Sequence, residues 1–167
     1  MSYLTTPGRM ALALGGGALT GAALLSIYLA VSSPVSPAPS SDGALWAIPL
    51  VIFIYAVIWL IGLVAVGLPV WLLLHSLKLR HWLCAVLTGA VLTFAVVYLI
   101  AIETGLFYGV AGFTEYDGID PATLPAGQLA GRKQQTALYA SSVLGAIGAA
   151  VGLAVWRIAY RPAPVNR

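Results

Sequence analysis

Glu103 is the residue best placed to do chemistry. Apolar sequence surrounds it, from Trp82 to Ile102 before it and from Leu106 to Val110 after it. A carboxylate inside hydrocarbon needs a partner or a proton, and such groups serve proton or cation passage. Glu103 follows Trp82 by 21 residues, roughly 31 Å along a straight helix, which puts it at the boundary of the hydrocarbon core. A side chain that simply reaches headgroups or water is expected ahead of that role, with Arg132 or Lys133 as candidate partners. The stretch from Phe113 to Pro121 carries the next set, Glu115, Asp117 and Asp120 beside the aromatic residues Phe113 and Tyr116. Such oxygens could hold calcium, but their spacing departs from an EF-hand loop. Asp117-Gly118 and Asp120-Pro121 are ordinary turn signals. A solvated loop, or a protein-binding one anchored by its aromatics, is expected ahead of a metal site.

His75, His81 and Cys84 gather loosely. His81 and Cys84 could share a helix face, yet they make two ligands where structural zinc takes four. An interfacial basic loop that meets anionic headgroups is the expected reading. Gly15-Gly16-Gly17 has neither a preceding strand nor a nearby phosphate-binding lysine, so it is not a nucleotide loop. Cys84 is the single cysteine, and no internal disulfide can form. The residue types thus carry no catalytic, cofactor or metal constellation, and a non-enzyme is expected.

The elements that hold these residues follow from the solvent they require. Of 167 residues, 60% are hydrophobic and 8% charged, against about a quarter charged in soluble domains. A fold this apolar has too little polar surface for water, and the bilayer is its natural solvent. The net charge of +3 does not point to nucleic acid, because the basic residues flank apolar spans. Four segments, about 10–31, 45–74, 82–102 and 137–160, take up most of the length, so one membrane domain covers 1–167. The first has 22 residues, roughly 33 Å of helix, and exceeds the apolar core of a signal peptide, about 7 to 15 residues. Pro34, Pro37 and Pro39 push the chain after it into an extended linker.

Sidedness comes from charge. Arg9, Lys78, Arg80, Arg157, Arg161 and Arg167 fall on one side of the spans, Arg132 and Lys133 on the other. The positive-inside rule then makes both termini cytoplasmic and the loops 32–44 and 103–136 external. All five acids, Asp42, Glu103, Glu115, Asp117 and Asp120, lie on that external side. Trp46, Trp82, Trp156 and Tyr160 stand near span ends, where amphipathic rings favour headgroups. The fold expected is an all-α, up-down bundle of four transmembrane helices. The short connection His75–His81 should make the second and third helices antiparallel neighbours. Pro69 leaves the Ala65 carbonyl without its usual partner and should bend the second helix. Gly131–Thr136 suits an extra helical turn before the fourth span.

Lipid tails give helices no hydrophobic reward for associating, so small residues mark the packing faces. Gly17 and Gly21 form a GxxxG pair in the first span. Gly145, Gly148 and Gly152 share one face of the fourth, and Ala85, Gly89 and Thr93 recur at four-residue spacing in the third. These faces could join helices of one chain or of two.

Two stretches carry a resemblance. Gly67-Leu68-Pro69-Val70-Trp71-Leu72-Leu73-Leu74 with the basic loop to Trp82 is one, and Gly145–Gly148 through Val155–Ala159 to Arg161 is the other. They resemble uncharacterised small four-span inner-membrane proteins of Gram-negative bacteria. The resemblance implies a bacterial inner membrane and transfers no functional residue. The expected function is that of a non-catalytic accessory, regulatory or immunity-type subunit. Its partners would be the bilayer and another membrane or periplasmic protein, or a second copy of the chain. The alternative is a small oligomeric channel or transporter with Glu103 near its path. For the topology, a periplasm-dependent reporter fused after Asp120 should be active, and one fused after Arg161 silent; the opposite pattern would reverse the orientation.

Overall fold

The computed structural model describes residues 7–32, 44–77, 81–105, 107 and 125–160, all in helices or directly beside them. Helix α1 runs Pro7–Ser32. Its first residue is a proline, which suits a first turn whose N–H groups have no intrahelical partner. Helix α2, Ala44–Gly62, passes into a π-helical turn, Leu63–Gly67, and then into α3, Leu68–Ser76. Helix α4 spans Trp82–Thr104 and α5 spans Ala126–Ala159.

The bend expected from Pro69 takes a definite form. A proline in mid-helix has no N–H to offer four residues back. In the turn just before it the helix widens, and the Leu68 N–H donates to the Leu63 carbonyl five residues back. Helix α4 has caps at both ends. His81 precedes it in extended conformation, and its Nδ1 accepts from the Leu83 N–H at 3.3 Å. Gly105 ends it at φ 65°, with its N–H donating to the Ala101 carbonyl at 2.9 Å. That left-handed conformation is strained for residues with a Cβ and open to glycine.

Helix α5 is the centre of the structure. Ten of its residues are buried, among them Ala137, Ala140, Leu144, Gly148 and Val151. It packs against α4 on one side and α1 on the other, and α1 in turn carries α2. On the α4 side, Gly152 meets the Ala85 carbonyl, Gly148 meets Gly89 and Thr93, and Gly145 meets Ala90 and Phe94. The register runs in opposite senses along the two helices. On the α1 side, Gly17 lies against Val151 and Val155, and Gly16 against Ile158. Gly21 receives the Trp59 indole of α2, whose Cδ2 stands 2.6 Å from where a Cβ would be. The hydroxyl of buried Ser141 donates to the Ala137 carbonyl one turn back, at 2.6 Å.

Four helical stretches are long and apolar enough to cross a bilayer: Gly8–Ser32, Pro49–Leu74, Trp82–Thr104 and Ala126–Ala159. Their outward surfaces agree. Phe53, Leu87, Val91 and Leu99 are each 61–64% exposed, a display of large apolar side chains that soluble monomers avoid. The chain therefore has the helices of a multi-pass membrane protein.

Two features differ from the sequence expectations. The fourth helix starts at Ala126, eleven residues ahead of its apolar segment, and takes in far more than one extra turn. Gln128, Leu129, Ala130, Arg132, Lys133, Gln134 and Gln135 are good helix formers, and hydropathy sees only their polarity. The second difference concerns the middle spans. They meet at the π-turn instead of along their length, because the small-residue face of α4 is taken by α5.

The glycine contacts predict opposite outcomes at two positions. A Cβ at Gly148 would overlap the Gly89 carbonyl and Thr93, whereas one at Gly62 meets nothing within 4 Å. Gly148→Ala should cost about 1–3 kcal/mol through overpacking. Gly62→Ala should be neutral or stabilise by up to ~1 kcal/mol through helix propensity. Unfolding by SDS in mixed micelles measures both.

Candidate functional site

The divergence of the middle spans leaves an apolar cleft of about 610 Å³. One wall comes from the second span, through Tyr55, Trp59, Leu63, Leu68 and Trp71. The other comes from α4, through Ala85, Thr88, Leu92 and Val96. The floor is the pair α1–α5, which contributes Leu25, Leu144, Val151 and Val155. Met10, Leu74 and Ala159 line the end that carries Arg9 and Arg157, and Leu29, Val97 and Phe107 line the Glu103 end. From Ala85 to Val97 the α4 wall extends roughly 18 Å, over half of a hydrocarbon core.

Local sequence explains the walls. Leu63, first residue of the π-turn, reaches the α1 face at Gly17, 3.3 Å from where a Cβ would stand there. It belongs to the core built on Ala140, Leu144, Ile147 and Val151 of α5. The π-turn thus pins the second span to the floor midway, while Trp59 anchors it at Gly21 one turn earlier. Near the Arg9 end, Trp71 and Trp156 each stand 6.3 Å from Tyr160, ring centre to ring centre. Ala13 and Ala159 complete that aromatic cluster.

The lining is chemically spare. Among the described residues its polar side-chain atoms belong to tyrosine, tryptophan and threonine, and none of its lining side chains is charged. Such a cleft suits an apolar chain or the apolar face of a helix. An ion would cross it at high cost.

Glu103 lies elsewhere. It is exposed in the last turn of α4, outside the cleft lining. Among the described residues it forms no ion pair, so neither Arg132 nor Lys133 is its partner. Lys133 instead stands over the end of α4, with its Nζ 4.0 Å from where a Cβ on Gly105 would be. A cation there faces the carbonyl end of the helix, where the dipole favours it. His81 serves as the cap of α4 and stacks on Trp82 at 5.9 Å. Cys84 is partly buried one turn on, and its N–H donates to the His81 carbonyl at 3.1 Å. Phe113, Glu115, Tyr116, Asp117 and Asp120 lie outside the described residues, as do Asp42 and the His75 side chain.

The five glycines singled out by spacing fall at helix contacts, Gly145, Gly148 and Gly152 toward α4, Gly17 toward α5, and Gly21 toward α2. Sequence reasoning missed the cleft and its residues Trp59, Leu63 and Trp71. Pro69 and the glycine two residues before it were the signal, since a distorted turn in a span often marks a functional site.

If Glu103 holds up no part of the fold, Glu103→Gln should leave the unfolding midpoint in detergent unchanged; a clear drop would reveal a partner for the carboxylate. Comparison with protein families, with curated proteins and with solved structures finds no match for this chain.

Proposed function

We propose that this chain is a polytopic protein of the bacterial inner membrane that acts through protein partners, as an accessory, regulatory or immunity-type subunit, and catalyses no reaction. Its four spans form an up-down bundle with both termini cytoplasmic. The opposite senses of the α4–α5 and α1–α5 contacts support that arrangement, as does the common end of Arg9 and Arg157. The observation that carries the partner reading is the state of the middle spans. Pro49–Leu74 and Trp82–Thr104 bury none of their most apolar windows inside the chain, against 28% and 39% for the first and last spans. The cleft between them offers an apolar seam on which another transmembrane segment can pack. The channel alternative gains no support from that seam, since its lining among the described residues is uncharged and does not include Glu103.

Purification of the tagged full-length protein in mild detergent tests the reading. A stoichiometric membrane partner is the expected result, lost when the seam is filled by Thr88→Trp and kept in Glu103→Gln. A homo-oligomer whose liposomes leak ions, with the leak abolished by Glu103→Gln, would overturn it in favour of a channel.

A further inference from the structure

The π-turn of the second span, Leu63–Gly67, lies in the cleft wall, where Gly62, Leu63, Val66 and Gly67 all line the space. A π-turn holds one residue more than the α-helical turn it replaces. That surplus residue can occupy more than one place along a helix. When the wide turn moves toward Trp59, each residue it passes over advances one position toward the N-terminus, about 100° around the axis and ~1.5 Å along it. We infer that the π-turn is a two-position device: its movement by one turn carries the bulk of the cleft wall from the place of Val66 to the place of Gly62.

Every side chain that moves finds room. Leu63 takes the place of Gly62, where a Cβ meets nothing within 4 Å. Val64 takes the place of Leu63 against Gly17, a smaller apolar group for a larger one. Ala65 takes the place of Val64, and Val66 takes the exposed place of Ala65. Gly67 takes the place of Val66 and leaves that stretch of wall bare. The two glycines thus bracket the segment that changes register, and glycine holds an α-helical conformation less firmly than any other residue but proline. All the side chains between them are apolar, so the movement brings no polar side chain into hydrocarbon.

Pro69 sets the balance. In the described position the wide turn stands directly before the proline, and the Leu68 N–H donates to the Leu63 carbonyl. Once the wide turn has moved, Pro69 sits in ordinary α geometry, with its ring against the Ala65 carbonyl and no N–H to offer it. The described position is therefore the major one, and the other is a sparsely populated state. The consequence lies in the cleft. Leu63 narrows the half toward Leu29 and Phe107, while Gly67 widens the half toward Leu74. An occupant that fits the second shape better draws the equilibrium to it, by no more than its difference in affinity for the two shapes. The device belongs to the second span and holds whether or not the cleft receives a protein partner.

Methyl relaxation-dispersion NMR of the full-length protein in lipid nanodiscs tests this, with the leucine and valine methyls labelled. Leu63 and Val64 should exchange together on the μs–ms timescale of helix register shifts, while Leu99 of α4 stays flat. Pro69→Ala should raise the minor population about tenfold. It should also bring the Val64 methyls into contact with Val155, which shares the Gly17 face with Leu63 in the described position. Deletion of Ala65 in the Pro69→Ala background removes the surplus residue and should abolish the exchange. Flat profiles at Leu63 and Val64 in the unaltered protein, with their signals unmoved in Pro69→Ala, would overturn the proposal. So would exchange that Leu99 shares, or that survives the deletion.

Discussion

Where α4 crosses α5, a methyl group on Gly89 would overlap the carbonyl of Gly148, and one on Gly148 would overlap the carbonyl of Gly89. Main chain meets main chain, and the contact continues through Gly152 at Ala85 and Gly145 at Phe94. In hydrocarbon this is the kind of contact that holds helices together, because lipid competes for every apolar side chain but cannot follow a backbone into so close an approach. The other relations follow from it. Helix α5 has one flank committed to α4 and turns the other to α1, which then carries the second span. The second span has no equivalent smooth face. Its contact side is built from bulky groups: Trp59 settles onto Gly21 and Leu63 onto Gly17 of α1, and Trp71 packs against the cluster of Ala13, Ala159 and Tyr160. The cleft is the space left between a helix attached by main chain and a helix attached by large side chains.

How much of this the residues announce depends on the range of the cause. Span positions are legible because solvation is a property of each residue. The glycine faces are legible because positions three, four and seven apart stack on one side of a helix. Their pairing is not, since Gly145, Gly148 and Gly152 could have met a second chain as well as Ala85 and Gly89. The short connection His75–His81 suggested close neighbours, but a short loop constrains two helix ends and leaves their axes free. Glu103 shows the same limit. Its place near the end of a span is readable, while the direction of its side chain is set by the rotation of α4, which the α5 contact decides. The polar start of α5 escaped because a hydropathy profile measures affinity for lipid, and Arg132 through Gln135 keep their helix in water as readily as at a bilayer surface.

The π-turn ties these levels together. One proline, placed two residues after Gly67, forbids the ordinary hydrogen bond, and the helix adopts a wider turn ahead of it. That wider turn presents Leu63 to the floor and Leu68 to the cleft. It is also where the second span comes closest to α4. A local covalent restriction thereby sets the width of a space bounded by four helices.

Helix α5 has 34 residues, about 51 Å of rod, and hydrocarbon accounts for only about 30 Å of that length. Its first eleven residues stand clear of the apolar part as an unbroken continuation of the most buried helix. Whatever rests on that mast is held at a fixed height above the lipid. A tilt imposed on it would be carried along one unbroken helix to the glycine contact with α4.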